Sequence, residues 1–195
     1  MRKKIIGRPN ALQKLNSVAP GVLNQQGTTR NVYHLLKWTL DRSFEFFTNL
    51  NNTNQLFKNI DQNKLALGEA LVVKRIFFPV FTMDPMDPTI LNSVETWDGA
   101  GLANIIAGKL DITVGNQTII KDLPISKAYY WCKNSSNYSG FAIELESEFV
   151  ITQNTDFKVN LKQAGKFNGG MLVDNLYFGV MLDGYGKILN IKKTL

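Results

Sequence analysis

The sequence predicts an all-β protein built as a sandwich or a barrel, and three observations carry that expectation. Residues 43–50 (Ser-Phe-Glu-Phe-Phe-Thr-Asn-Leu) and 67–81 (Leu-Gly-Glu-Ala-Leu-Val-Val-Lys-Arg-Ile-Phe-Phe-Pro-Val-Phe) are aromatic, β-branched runs of the kind that form sheet strands. The second run is too long and too apolar for an edge strand. Turn-formers then recur at short intervals along the chain, marking off about eight to ten strands. Finally, no alternation of strand and helix units is present, which argues against a doubly wound sheet, and no fixed-period repeat suggests a propeller or solenoid.

Taken in order, residues 1–30 differ from the rest. They hold Arg2, Lys3, Lys4, Arg8, Lys14 and Arg30, no acidic residue, and breakers at Gly7, Pro9, Pro20, Gly21 and Gly27. Such a stretch has no continuous apolar face and reads as an extended basic arm, with a short helical turn near residues 11–18. Residues 31–195 form the folded domain. Val32, Leu35, Leu36 and Trp38 fit a short helix and a strand equally well. Residues 44–50 read as a strand, the asparagine-rich stretch 49–54 as a polar turn, and residues 55–60 as a short further piece. The long strand spans 70–81, and Pro85 and Pro88 make residues 82–88 a loop.

Residues 90–110 are the one segment with a plausible helix, because Leu102, Ile105 and Ile106 share a helical face, although Gly99 and Gly101 loosen its first half. The clearest hairpin joins 109–114 to 118–124 across Gly115-Asn116, with Leu110, Ile112 and Val114 alternating against Asp111 and Thr113. Further strands are expected at 127–132, 141–145, 148–152 and 156–161, the last two joined by the tight turn 153–155. After a glycine-bearing loop at 165–170 come a strand at 172–182, a turn at Gly184-Tyr-Gly186 and a terminal strand at 187–191.

Composition narrows the function. At 195 residues, 44% hydrophobic and 19% charged, the chain has the length and apolar content to bury a core. A net charge of +6 and a pI of about 9.4 allow contact with nucleic acid or an anionic lipid surface without demanding either. The single Cys132 removes an intramolecular disulfide and a cysteine zinc site, and beside Tyr130 and Trp131 it reads as a buried structural thiol. Arg2, Lys3 and Lys4 look like the start of a signal peptide, but Gly7, Arg8 and Pro9 interrupt the apolar core it would need. No uninterrupted apolar run approaches the roughly 18 residues of a membrane helix. The expectation is a soluble chain made in the host cytoplasm.

Three motifs carry a resemblance: Phe46-Phe-Thr-Asn-Leu50, the run from Leu67 through Ile76 that opens Leu-Gly-Glu, and the stretch from Phe149 to Leu161 that turns at Asn-Thr before Phe-Lys-Val-Asn-Leu. They make the chain resemble the jelly-roll coat proteins of tailless icosahedral bacteriophages and their relatives, over roughly residues 42–182. The resemblance implies a single jelly roll, a two-sheet antiparallel sandwich of about eight strands, because a two-roll subunit needs a far longer chain. It also implies a non-enzymatic capsid subunit in the virion, either the principal shell protein or a vertex protein. Its partners would be many copies of itself and other virion proteins, and no cofactor is expected. The arm residues Arg2, Lys3, Lys4, Arg8 and Lys14 would contact packaged genome, an inner membrane or neighbouring subunits.

Catalytic readings find little support in the residues. His34 is the single histidine, which removes most acid–base and triad schemes as well as the multi-histidine metal site of a cupin-type roll. It reads as a structural or surface imidazole. Asp84 and Asp87 have oxygens for a calcium ion, but the neighbouring prolines explain a rigid loop without one. Glu144, Glu146 and Glu148 alternate, so on a strand they share one side; a solvated face or subunit-contact patch explains them better than a hydrolytic pair. The glycines at 165–170 and 99–101 lack the spacing of phosphate or dinucleotide loops. Trp131, Tyr129, Tyr130 and Tyr138 suit a sheet core, and Trp131 and Tyr138 also give a rival reading: a receptor- or carbohydrate-binding sandwich module of a spike or fibre.

Overall fold

The computed structural model describes residues 28–37, 43–48, 50, 57–83, 86, 91–93, 108–132, 139–163 and 176–187. Within them the chain forms β1 (Thr28–Lys37), β2 (Ser43–Phe46), β3 (Ala70–Met83), β4 (Leu91–Ser93), β5 (Lys109–Val114), β6 (Gln117–Pro124), a 3-10 turn (Ile125–Lys127), β7 (Tyr129–Cys132), β8 (Ser139–Ile151), β9 (Phe157–Lys162) and β10 (Leu176–Lys187). The strands make two antiparallel sheets. The larger runs β1-β10-β3-β8-β7, with β4 added on β3; the smaller runs β2-β9-β5-β6. The all-β expectation holds.

One apolar core lies between the sheets. Period-two alternation sends Phe44 and Phe46 of β2, Leu110 and Ile112 of β5, and Phe157, Val159 and Leu161 of β9 into it. From the larger sheet come Val32, Leu71, Val73, Ile76, Phe78, Ile143, Phe178, Val180 and Leu182. Phe178 stands at the centre: its ring stacks on Phe78 at 6.0 Å within its own sheet and meets Phe46 edge-on at 6.0 Å across the sandwich. Burying each such ring stabilises the fold by roughly 1.5–3 kcal/mol.

The open choice at residues 30–40 resolves to a strand as far as Lys37, beyond which residues 38–40 lie outside the described residues. Val32, His34 and Leu36 face inward while β1 pairs residue by residue with β10, so ladder pairing decides where local spacing could not. β1 includes Thr28, Thr29 and Arg30, and Arg30 is locked to Glu69 by a 2.6 Å ion pair, so the last three residues expected for the arm lie in the sheet. The expected helix at 90–110 gives way at its start to β4, which pairs Leu91–Ser93 with the end of β3. The face of Leu102, Ile105 and Ile106 lies outside the described residues, as does the helical turn expected near 11–18. Residues 57–60 do not make a strand; Lys58 contributes one bridge, to His34.

The run 70–81 is the central strand it promised to be, flanked by β10 and β8 and extended to Met83. A bulge falls beside its two charged residues, Lys74 and Arg75. The register passes from Arg75↔Glu144 to Val73↔Phe149, so residues 145–148 of β8 loop out opposite Lys74. This is why 141–145 and 148–152 read as two strands, although they belong to one. Pro79 has no N–H to give, and the β3–β10 ladder skips Phe78 and Pro79.

The Gly115-Asn116 hairpin forms as read, with Gly115 at φ +57°. The turn expected at Gly184-Tyr-Gly186 does not form. Both glycines lie inside β10, at a bulge after Asp183, and a Cβ on Gly184 would collide with the Val72 carbonyl of the adjoining strand. Close approach of two backbones, not a reversal of the chain, requires glycine there.

The Leu-Gly-Glu entry to β3 has a physical basis. Gly68 takes φ +80° in a turn closed by the Glu69 N–H on the Ala66 carbonyl, at 3.0 Å. The Glu69 carboxylate then accepts from both Arg30 and the Ala66 N–H. Leu67, at the turn's tip, is exposed.

Candidate functional site

The chemically distinctive position is His34. Its place on the inner side of β1 buries the ring completely, against Phe46 at 6.1 Å and Phe47 at 6.0 Å. The Phe47 N–H donates to Nδ1 at 2.8 Å. Phe47 follows β2 directly and has φ +65°, a conformation that costs a bulky residue about 1–2 kcal/mol. Burial of its ring against Phe157, at 5.0 Å, and the bond to His34 hold it there.

Because Nδ1 accepts, the proton of the neutral ring sits on Nε2, which is buried without a partner among the described residues. Lys58 is buried too, at 4% exposure, with Nζ 3.3 Å from the exposed Asp61 carboxylate. Burial first, and the Lys58 charge second, push the His34 pKa down to about 4. His34 is therefore neutral at pH 7 and serves as a core residue joining the two sheets.

Beside this seam lies an open cleft of about 520 Å³ lined by Phe47, Thr48, Leu50, Asp61, Gln62, Asn63 and Lys64. Its polar groups can exchange hydrogen bonds with a hydroxyl-rich ligand. No trio of His, Cys, Asp or Glu among the described residues is placed to hold a metal ion.

On the outward side of the larger sheet, Asn31, Asp183, Arg75 and Glu144 fall in one row across four strands. Arg75 pairs with Glu144, and burial raises the Asp183 pKa against the pull of Arg75. Glu144 and Glu146 are exposed and Glu148 half-buried, all in or beside the β8 bulge. Glu144 and Glu146 are thus exposed, with Glu144 engaged by Arg75, while the bulge at 145–148 breaks the alternation expected to put all three on one side.

Two of the terminal strands, β1 and β6, are protected. Asn59 caps β1: its N–H reaches the Tyr33 carbonyl at 3.4 Å, while its side chain accepts from the Tyr33 N–H at 2.7 Å and donates to the Asn31 carbonyl at 2.9 Å. β6 is broken by register shifts opposite β5 and by φ +52° at Asp122. Both are devices that discourage sheet-to-sheet addition.

Of the residues singled out in the sequence, Arg2, Lys3, Lys4, Arg8, Lys14, Asp84, Asp87, Tyr138 and the loop 165–170 lie outside the described residues. Trp131 lies in β7, with its backbone paired to Gly140 of β8. The His34–Phe47 bond and the buried Lys58 were not foreseen. A lone histidine beside Leu35 and Leu36, in a strand of otherwise apolar inward positions, was the available signal. The chain matches no protein-family model, no curated protein and no solved structure.

Proposed function

We propose that this chain is a virion structural protein: a single jelly roll that self-assembles as a capsid subunit, in the shell or at a vertex. The observation that carries the reading is the order of strand pairing. With β4 and β7 set aside, the eight remaining strands pair first with last (β1–β10), second with seventh (β2–β9), third with sixth (β3–β8) and fourth with fifth (β5–β6). A four-pair antiparallel ribbon wound into two sheets puts alternate pairs in opposite layers and gives the order 1-8-3-6 facing 2-7-4-5. Two nested Greek keys generate this arrangement, and it is the one the coat-protein resemblance implies.

The basic segment supports the partner assignment. Arg2, Lys3, Lys4, Arg8 and Lys14 precede the first acidic residue, Asp41. As an arm ordering on assembly, such a segment neutralises packaged nucleic acid, touches anionic lipid of an inner membrane, or ties adjacent subunits together. Each arm contributes little, and many copies in one shell act together. The mechanism is repeated contact rather than catalysis.

The test is particle size across salt concentrations, by light scattering and negative-stain electron microscopy. Large, salt-sensitive particles are expected. A compact monomer at every concentration and salt would overturn the reading. Deleting residues 1–27 leaves β1 complete, so the truncated chain should keep its β circular-dichroism spectrum and lose assembly or interior contact. Normal filled shells from that variant would remove the arm's role.

One observation favours the alternative, a receptor- or carbohydrate-binding module of a spike or fibre: the polar cleft at Thr48, Asp61, Gln62 and Asn63. Glycan-array binding by a small oligomer, with no higher assembly, would select it.

A further inference from the structure

We infer that His34 is an acid-released latch between the two sheets: a proton taken up by its ring breaks the bond to Phe47 and frees the turn that follows β2. The latch is a property of the fold and does not depend on the chain being a shell subunit.

The geometry sets the direction. A neutral imidazole has one acceptor nitrogen, and here that nitrogen, Nδ1, is occupied by the Phe47 N–H at 2.8 Å. An imidazolium has N–H groups at both positions, so protonation turns donor-to-acceptor into donor-to-donor at this contact. No small rotation offers the Phe47 amide another acceptor on the ring.

The surroundings raise the cost. The ring is 0% exposed, and Lys58 is 4% exposed. The charged groups facing it are few. β2 and its turn bring the Phe46 and Phe47 rings, and β10 brings Val180, the residue paired with His34. The segment that bridges to His34 brings Lys58, whose ammonium pairs with Asp61. Asp61 is 79% exposed on its side chain, so its carboxylate stays hydrated and does not face the ring as a counter-ion. A charged His34 would therefore meet apolar rings and a second cation.

Phe47 makes the release productive. It is held at φ +65° with its side chain fully buried, so the residue that the latch anchors already carries backbone strain. Once the bond is lost, Phe47 and the adjoining Thr48 can relax outward, opening the end of the smaller sheet beside β1 and exposing Phe47 itself.

The sign follows from linkage. The folded-state pKa of about 4 lies below the ordinary 6.5, so the unfolded chain binds the proton first and stability is lost as pH falls from 6.5 towards 4. By pH 4.5 this one ring should lower the folding equilibrium constant by roughly 10²-fold.

His34 is the single histidine, so its imidazole signals in a proton NMR titration of the full chain are unambiguous. The expected result is a midpoint near 4, with solvent exchange at the Phe47 amide, corrected for intrinsic rate, rising at least tenfold over the same range. In H34Q the amide oxygen can still accept from Phe47 but cannot titrate. Urea unfolding at pH 7.5 and 4.5 should show wild type losing roughly 10²-fold more of its folding constant than H34Q. An imidazole midpoint near 6.5 in the folded protein, with Phe47 exchange unchanged, overturns the latch, and so does an equal acid loss in H34Q. If H34Q does not fold, the wild-type titration decides alone, by whether the two midpoints coincide.

Discussion

The outward sides of the two sheets are built differently. On the smaller sheet, Glu45, Lys158, Asn160, Lys162, Lys109 and Asp111 alternate with core residues and pair across strands. Lys162 reaches Asp111, Lys158 lies 3.8 Å from Glu45, and Lys109 lies 3.8 Å from Asp122. Hydrogen bonds from the Asp122 N–H and from Lys162 hold the Asp111 carboxyl below the usual carboxylate range.

On the larger sheet the row through Asn31, Asp183, Arg75 and Glu144 is polar. The next row is Tyr33, Met181, Phe77 and Ala142, followed by Leu35 beside Gly179. Leu35 is 4% exposed, and Val72 and Ala142 are fully buried. A sheet wetted on one side is written as alternation; a sheet apolar on both sides is written as a continuous run. That difference separates β5 and β9 from β3 in the sequence.

The comparison can be broken at several depths. Phe178→Ala, in the core shared by both sheets, should cost about 3–5 kcal/mol in urea unfolding. A loss below about 1 kcal/mol would mean the two inner faces do not share a core. Leu35→Asn, on the outward side of the larger sheet, should cost about 2–3 kcal/mol by burying an amide without partners. Glu69→Ala should cost about 1–2 kcal/mol, since it strips the largely buried Arg30 guanidinium of its carboxylate. Lys158→Ala, on the smaller sheet, should stay within about 0.5 kcal/mol because that pair is half in water. Equal losses for Leu35→Asn and Lys158→Ala would erase the distinction between the faces.

The subtlest test uses pH. Burial raises the Asp183 pKa, Arg75 lowers it and Glu144 raises it, with burial the largest influence. Its protonated form is the one the fold favours. Wild-type stability from this group is present in acid and lost as pH rises, so D183N should gain relative to wild type between pH 3 and pH 7. A flat difference would show that Arg75 cancels the burial.

Where the strand pattern was local, the sequence could be read directly. The 109–124 hairpin follows from Gly115-Asn116 and five alternating residues, and β3 follows from its long, mostly apolar run. Non-local causes were hidden. Gly184 and Gly186 look like turn-formers, yet Gly184 is demanded by a carbonyl of Val72, more than a hundred positions away. The break between 145 and 148 looks like a turn because the bulge partner, Lys74, lies on another strand. Residues 30–37 could not be decided from spacing, since the pairing with β10 determines them. His34 gave its rarity but not its role, because the partner that defines the role is a backbone amide at Phe47, and amides leave no trace in composition.

The nested strand pairs bear on the order in which the chain acquires structure. Val114 and Gln117 meet across a two-residue reversal, whereas Thr28 and Gly186 meet only after nearly the whole chain has been gathered in. Closing a short loop forfeits less chain entropy than closing a long one, and distant contacts slow the search. Zipping should therefore begin at the β5–β6 reversal and travel outward through the longer-range pairs, with β1 docking on β10 at the end. Substitutions in β5 should slow refolding, while those in β1 should chiefly hasten unfolding.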